Sequence, residues 1–357
     1  MSGAGYTRRL AELGSELSSS FGSKSSTLGE LIEAEIPVPP GFAVSTSAFS
    51  AFIEGAGLGG KIASEAARMS PDDVDSVGAA SHAISEAMRF APVPDSIHDE
   101  VARRYAELAE EVGIDEPPVA VRSSALGEDS QDATFAGQQE TYLWVRGAEH
   151  VSDAVRDCWA SLYSPPAMTY RARLGQPEQA PAMGVAVQLM VDAEVSGVMF
   201  TCNPVTGDPS MVAVNASWGL GLAVVGGEVT PDDYLVSKVT REVVREHLHA
   251  KDVEYLPDEG GNGAVRVDVP EKRREVPCLD RSAVDALVEL GHRIERYFGS
   301  HQDIEWAIAR NKGLPGSLFV VQSRPVTALP QREPPPKRDS AMAHVLSMFG
   351  AGETKAQ

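Results

Sequence analysis

The stretch between residues 119 and 145, VAVRSSALGEDSQDATFAGQQETYLWV, most constrains what this chain can fold into. It predicts a short strand that delivers Arg122 at its end, a loop of small polar residues, and a second strand over 141–145. Small residues let backbone N–H groups surround an anion, and an arginine adds a forked, permanently charged donor for phosphate oxygens. The segment can therefore be a phosphate-binding loop or a surface hairpin with a polar tip.

A second candidate phosphate ligand, Lys24, lies near the start of the chain. It precedes a predicted helical run and is surrounded by small residues (Gly22, Ser23, Ser25, Ser26). An ammonium group and a helix N-terminus would attract an anion together. The alternative is a solvated loop lysine, because most lysines are surface residues.

Two segments near residue 310 predict an antiparallel pair of strands joined by the turn NKGLPG. Because side chains alternate along a strand, Asp303 and Glu305 share the polar face of QDIEWAIA. Gln322 and Arg324 share a face of LFVVQSRPV in the same way. One surface can then present Glu305, Gln322 and Arg324, and carboxylate and amide oxygens are hard ligands suited to Mg²⁺. The polar outer face of an ordinary two-stranded ribbon is the alternative.

Gln188 interrupts an otherwise apolar predicted strand, GVAVQLMV, at residues 184–191. A buried amide needs hydrogen-bond partners, which can be neighbouring backbone groups or a ligand. Elsewhere the pattern predicts helices across residues 46–115, and a further helix that Asp280 caps.

Composition narrows the class of protein. A length of 357 residues suffices for about two or three folding units. The net charge of −20 argues against nucleic acid as a partner, because phosphate backbones select basic surfaces. No run approaches the roughly 18 apolar residues of a membrane span. The cysteines are widely spaced and form no metal-ligand pattern, so we expect free thiols in a cytoplasmic protein with no membrane partner.

Several motifs together resemble one family. They are R-S-S-A, E-D and F-A-G-Q-Q-E-T in the stretch above, with P-V-P-P-G-F-A-V, F-T-x-N-P-x-T-G-D, D-I-E-W and Q-S-R-P-V elsewhere. This set is similar to the nucleotide-binding domain of phosphoenolpyruvate synthase, pyruvate phosphate dikinase and rifampicin phosphotransferase. The resemblance covers about residues 15–328 and implies an α/β (α+β) fold of the ATP-grasp-like type, with ATP between two lobes. The lobes would span residues 1–189 and 190–328, and a Pro-rich spacer with a short helix or tail would follow at 329–357.

The resemblance also implies roles for single residues. Lys24, Arg122 and Arg324 would hold the polyphosphate as the catalytic set. The Gly137 backbone and the Thr141 hydroxyl would assist them, and Gln188 would lie at the nucleoside. Glu305 and Gln322 would hold Mg²⁺. Leu222 stands where many members of the family carry glutamate, so one carboxylate of their usual set is missing here.

The implied function is that of an ATP-dependent phosphotransferase component. It would bind Mg-ATP and phosphorylate a histidine on a separate, swivelling subunit, with release of AMP and phosphate. That subunit would pass the phosphoryl group to a small-molecule acceptor, as in split systems of the phenylphosphate synthase type. His344 lacks the Gly-Gly-x-x-x-His context of such a carrier histidine. Two alternatives remain: a regulatory subunit that binds ATP without turnover, and a self-sufficient ATP-grasp kinase or ligase.

The C-terminal segment carries a last expectation. Three prolines at 334–336 precede an apolar stripe at helical spacing (Met342, Val345, Leu346, Phe349). Such a stripe can dock in a groove of the partner subunit. A frayed end is the alternative.

Overall fold

The computed structural model of this protein describes residues 5–125, 140–175, 182–258, 260–310 and 313–327. Its strands are β1 (Thr7–Arg9), β2 (Gly41–Val44), β3 (Val119–Ala125), β4 (Thr141–Val145), β5 (Met183–Leu189), β6 (Ala193–Phe200), β7 (Met211–Trp218), β8 (Asp232–Ser237), β9 (Val243–His247), β10 (Val253–Pro257), β11 (Ala264–Asp268), β12 (Gln302–Ala309) and β13 (Leu318–Pro325). Its α-helices are α1 (Ser18–Phe21), α2 (Ser23–Glu33), α3 (Thr46–Gly55), α4 (Gly59–Arg68), α5 (Val74–Phe90), α6 (Asp95–Val112), α7 (Ala148–Ser161), α8 (Pro165–Arg173), α9 (Leu222–Val225), α10 (Glu271–Arg274) and α11 (Arg281–Phe298).

The strands form two larger sheets, both antiparallel. The first has the order β1-β2-β5-β3-β4, and the second has the order β13-β12-β6-β7-β8-β9. A separate hairpin pairs β10 with β11. The predicted fold class was α/β (α+β), and the combination of helices with antiparallel sheets confirms it as α+β.

Each sheet has its own apolar core. Helices α3, α5, α6 and α7 share a core with the first sheet, in which Trp159 and Phe52 stack with their ring centroids 5.2 Å apart. Helix α11 covers the second sheet and buries Leu287 and Ile294 beside Met199. The apolar face of α11 follows the spacing expected for an amphipathic helix.

Helix α2 joins the two halves. Its Leu28 lies in a small core with Phe21 and Ala43 of the first half, whereas its Leu31 lies in the core of the second sheet. The chain just after α2 also reaches the second sheet, because the carbonyl of Pro37 accepts a hydrogen bond from the Val320 amide at 2.8 Å. The position of α2 therefore depends on both sheets.

Several predicted elements are confirmed. Residues 46–115 are mostly helical, and the Asp280 side chain caps α11 by accepting a hydrogen bond from the Ala283 amide at 2.8 Å. Strands β12 and β13 pair antiparallel, with Glu305 directly opposite Gln322.

One predicted boundary is wrong. Lys24 does not lie in a loop ahead of a helix, because α2 begins at Ser23 and Lys24 is in its first turn. Serine has a low helix propensity, and a contact with β3 supports this turn, since the Ser25 amide donates to Ser124 Oγ.

Within the described ranges, no helix combines the length and apolar character that a bilayer crossing requires.

Candidate functional site

A cavity of about 460 Å³ lies between the two sheets. Its walls come from β3, β4 and β5 of the first sheet, from β6, β12 and β13 of the second, and from the first turn of α2. The sequence-predicted residues that line it are Lys24, Arg122, Thr141, Gln188, Glu305, Gln322 and Arg324. The size is within the range of small-molecule sites, roughly 300–1,000 Å³.

One end of the cavity holds charged and amide groups. The Arg122 Nη1 donates to Glu305 Oε2 at 3.2 Å, to Gln322 Oε1 at 3.3 Å and to the Val321 carbonyl at 3.4 Å. Arg122 belongs to the first sheet and its three acceptors belong to the second. The contact therefore connects the two sheets across the cavity.

Asp303 and Arg324 form a second ion pair beside this group. Arg324 Nε and Nη2 lie 2.9 and 2.8 Å from Asp303 Oδ2. Burial raises the pKa of Asp303 above its ordinary value, the nearby Arg324 opposes that rise, and Glu305 adds to it. The sequence placed Asp303 on the same face as Glu305 but did not assign it to the site. The signal that could have assigned Asp303 to the site is its spacing of two residues from Glu305 on the same strand.

The start of α2 is clamped against β3. The Ser25 amide donates to Ser124 Oγ at 3.1 Å, and a Cβ on Gly22 would lie 1.9 Å from the Ser124 carbonyl oxygen. In the described part of the chain, the buried hydroxyls of Ser23, Ser25 and Ser26 have no hydrogen-bond partner. Lys24 lies two residues after Gly22, in the first turn of α2, and lines the cavity.

Another part of the cavity wall is apolar. It includes Leu143, Leu189, Met190 and Val191, from the first sheet and from the crossing to β6, and Leu220 from the segment after β7. Met190, Val191 and Leu220 belong to one apolar cluster. The sequence analysis did not assign these residues to the site. For Leu189, Met190 and Val191, the apolar run that follows Gln188 was the available signal.

Trp144 packs against the apolar residues Met190, Val191 and Leu220 of the cavity wall. Two residues of β4 oppose one residue of β3, and within this bulge Trp144 adopts φ 60°. The bulge directs the indole into a buried cluster with Ala193, Leu220 and Ala307 of the second half. The Gly263 amide donates to the Trp144 carbonyl at 3.2 Å. Trp144 is thus a further point at which the halves meet.

Gln188 is 2% exposed, and its Nε2 lies 3.4 Å from the Pro39 carbonyl. The sequence allowed either neighbouring backbone groups or a ligand as the partner of this amide, and the backbone contact is present. Gln188 also lines the cavity, so the contact does not remove it from the candidate site.

Three further sequence expectations concern other positions. Thr141 lies opposite Arg122 in the β3–β4 ladder. Leu222 begins the short helix α9 and adds an apolar wall to the cavity. Gly137 and the C-terminal stripe fall outside the described residues.

The donor set suits a cation that is shared with a ligand. Across the described residues, no group of three or more His, Cys, Asp or Glu side chains could hold a metal ion. Glu305 and Gln322 supply a carboxylate and an amide oxygen, which is fewer ligands than Mg²⁺ requires. Mg²⁺ commonly fills the rest of its octahedron with water and phosphate oxygens.

The fold and cavity define an α+β domain with a cavity of small-molecule size between two antiparallel sheets. Residues 18–344 match the family described as "Pyruvate phosphate dikinase, AMP/ATP-binding domain", and the chain belongs to this family. The resemblance inferred from the motifs is thereby confirmed.

The chain is 40% identical over 324 residues to a probable phosphoenolpyruvate synthase of Staphylothermus marinus. The aligned region covers 85% of this chain and 39% of that protein. It is 39% identical over 345 residues to the phosphoenolpyruvate synthase of Pyrococcus furiosus, with coverage of 86% and 42%. It is 38% identical over 327 residues to a probable phosphoenolpyruvate synthase of Methanocaldococcus jannaschii, with coverage of 91% and 27%. The chain spans less than half of the length of each of these relatives.

Proposed function

We propose that this chain binds Mg-ATP in the cavity between its sheets and acts as the nucleotide-binding component of a dikinase-type phosphotransferase. The single observation that carries the proposal is that the cavity is lined by two kinds of group. Lys24, Arg122, Arg324 and Glu305 contribute charged side chains, whereas Met190, Val191 and Leu220 belong to one apolar cluster. A nucleotide has the same division, with an anionic polyphosphate and a largely apolar base.

Membership of the AMP/ATP-binding family supports the same ligand. The two lobes of an ATP-grasp-like fold would correspond to residues 1–189 and 190–328, with the nucleotide between them.

Phosphoryl transfer requires positioning and charge neutralisation more than covalent chemistry by the protein. The guanidinium groups of Arg122 and Arg324 suit phosphate oxygens, because their N–H donors form a planar fork. Lys24 would add an ammonium at the N-terminus of α2, where the helix dipole also favours an anion. The Thr141 hydroxyl and the Gly137 backbone would complete the phosphate contacts.

Glu305 and Gln322 would hold the Mg²⁺ ion. When bound, that ion neutralises developing charge on the phosphate oxygens. Gln188 would contact the nucleoside, since it is buried and lines the cavity beside Leu189 and Met190.

In the reaction proposed, a histidine on a separate, swivelling subunit attacks the β-phosphorus of ATP, and the bond to the α-phosphate breaks to release AMP. Water then removes the terminal phosphate, so that phosphohistidine and free phosphate remain. The phosphohistidine would then deliver its phosphoryl group to a small-molecule acceptor. The names of the relatives, which are phosphoenolpyruvate synthases or probable ones, support a phosphoryl transfer from ATP.

The test is a mixing experiment with labelled ATP. The chain is incubated with [β-³²P]ATP, alone and with a protein that carries a Gly-Gly-x-x-x-His motif, such as one encoded beside its gene. We expect slow AMP formation by the chain alone, and with the second protein rapid AMP formation and acid-labile label on its histidine. Rapid turnover with a small molecule alone would favour a self-sufficient kinase or ligase. ATP binding with no transfer would favour a regulatory subunit.

A further inference from the structure

A single nitrogen atom of Arg122 contacts the oxygens that we assign to the divalent cation. Nη1 lies 3.2 Å from Glu305 Oε2 and 3.3 Å from Gln322 Oε1, and the Val321 carbonyl lies 3.4 Å from the same nitrogen. The Arg122 side chain is only 17% exposed, so water screens this contact weakly. The guanidinium therefore supplies positive charge to these three oxygens in the absence of a metal ion.

The contact does not use the full bonding capacity of the guanidinium. Charge-assisted N–H···O⁻ bonds are usually about 2.7–2.9 Å long, and the strongest arginine pairs use two nitrogens in parallel. Here one nitrogen is shared among three acceptors at longer distances. Among the described residues, the buried Nε of Arg122 has no hydrogen-bond partner. Phosphate oxygens could accept from Nε and Nη2 together, because these two nitrogens direct their N–H groups to the same side of the guanidinium. The present acceptors contact Nη1 and do not use this pair.

A divalent cation and this nitrogen cannot occupy the same place. Mg²⁺ requires oxygens at about 2.0–2.1 Å, so Glu305 Oε2 and Gln322 Oε1 would have to close on the ion and the nitrogen would have to leave. The positive charges of the guanidinium and of the ion also repel each other at short range.

We propose that Arg122 occupies the cation position in the nucleotide-free protein and competes with the divalent ion for Glu305 and Gln322. Nucleotide phosphates draw Arg122 away, and the ion binds tightly only after that release. This inference rests on the proposed function, because the phosphates are the group that removes Arg122. Since coupling between two ligands is reciprocal, the bound ion also strengthens nucleotide binding.

The test measures cation affinity without nucleotide. Mn²⁺ takes similar oxygen ligands and can be titrated into the full chain by electron paramagnetic resonance of the free ion. Arg122→Met removes the competitor and retains the length of the side chain. We expect it to bind Mn²⁺ about three- to fivefold more tightly than the unmodified chain, since pairs of this kind contribute up to about that factor. Arg122→Gln serves the same purpose if the methionine variant does not fold.

Two further variants show where the effect originates. Arg324→Met removes the same charge from a neighbouring arginine that bonds Asp303. We expect it to change Mn²⁺ affinity much less, whereas an equal gain would assign the effect to general electrostatics and overturn the inference. In Arg122→Met/Glu305→Gln the gain must disappear, because the ion loses its carboxylate. A gain that persists would place the ion elsewhere and also overturn it.

Calorimetry with ATP separates this inference from the proposed function. If the unmodified chain binds Mg-ATP while Arg122→Met leaves Mn²⁺ affinity unchanged, the competition is absent and the proposed function stands. If the folded chain does not bind ATP with or without a cation, the proposed function fails and this inference fails with it.

Discussion

Gly22 and Ser124 approach so closely that a Cβ on Gly22 would lie 1.9 Å from the Ser124 carbonyl oxygen. Gly22 has φ 83° and ψ 160°, a conformation that is essentially restricted to glycine. This contact fixes the start of α2, which carries Lys24, against β3, which carries Arg122. The relative position of the two cations thus depends on the absence of one methyl group.

We therefore predict that Gly22→Ala lowers the free energy of unfolding by at least about 3 kcal/mol, because steric overlap adds to backbone strain. Gly57→Ala is a matched control. Gly57 has φ 65°, and no atom lies within 4 Å of a Cβ placed on it. This control should cost only about 1–2 kcal/mol. Chemical denaturation measures both losses, and equal losses would show that the contact with Ser124 has no steric effect.

The buried ion pair of Lys251 and Asp232 gives a second prediction. Both side chains are 0% exposed, and Lys251 Nζ lies 2.5 Å from Asp232 Oδ1. Lys251→Met leaves the carboxylate buried without its cation and should cost about 3–5 kcal/mol of stability. Lys61→Met removes the exposed partner of Glu65 and should cost less than about 1 kcal/mol. Similar losses in urea denaturation would contradict the assigned role of burial.

His292 on α11 predicts a dependence of stability on pH. Burial lowers the pKa of His292, and Arg241 and Lys238 lower it further. The unfolded chain therefore binds this proton more readily than the folded chain, so stability falls as the pH drops below the ordinary value of about 6.5. His292→Gln should remove that part of the fall.

The free energy of unfolding at pH 7.5, 6.5 and 5.5 measures this effect. The exposed His82 provides the control, and His82→Gln should retain the pH dependence of the unmodified chain. If the His292→Gln curve runs parallel to that of the unmodified chain, His292 does not contribute.

Arg122→Lys tests the geometry of the phosphate contact. Lysine retains the charge but lacks the planar fork, so we expect most phosphoryl transfer to the histidine-bearing protein to be lost. The rate of AMP formation in the mixed system measures this loss. Near-normal turnover would return Arg122 to a purely structural role between the sheets.

Local sequence patterns predicted the parts of the site that lie on one element or on adjacent elements. Alternation along two strands and a turn between them placed Glu305 and Gln322 on one surface, and the ladder confirms this pairing. The cap at Asp280 followed from side-chain chemistry at one position.

Patterns could not predict contacts between distant segments. Arg122 and Glu305 are 183 residues apart in the chain, and their contact depends on how two sheets dock. The buried position of Trp144 depends on the same docking, because its cluster includes Leu220 and Ala307 of the second half. The clamp at Gly22 lies within the first half, but it also joins segments that are distant in the sequence. Periodicity assigns a side chain to a face, but it does not show what will cover that face. The lobe boundary at 189–190 and the roles of Gly137 and the C-terminal segment stay predictions.

The central claim is that the cavity between the sheets binds Mg-ATP through the Glu305–Gln322 pair. Calorimetric titration of ATP into the chain, with and without Mg²⁺, tests it most directly when Glu305→Ala is titrated in parallel. We predict one Mg²⁺-dependent ATP site per chain, and loss of that dependence in a Glu305→Ala variant whose circular dichroism and melting show an intact fold. Unchanged affinity in the folded variant would remove Glu305 from the site, and no binding by the unmodified chain would contradict the account as a whole.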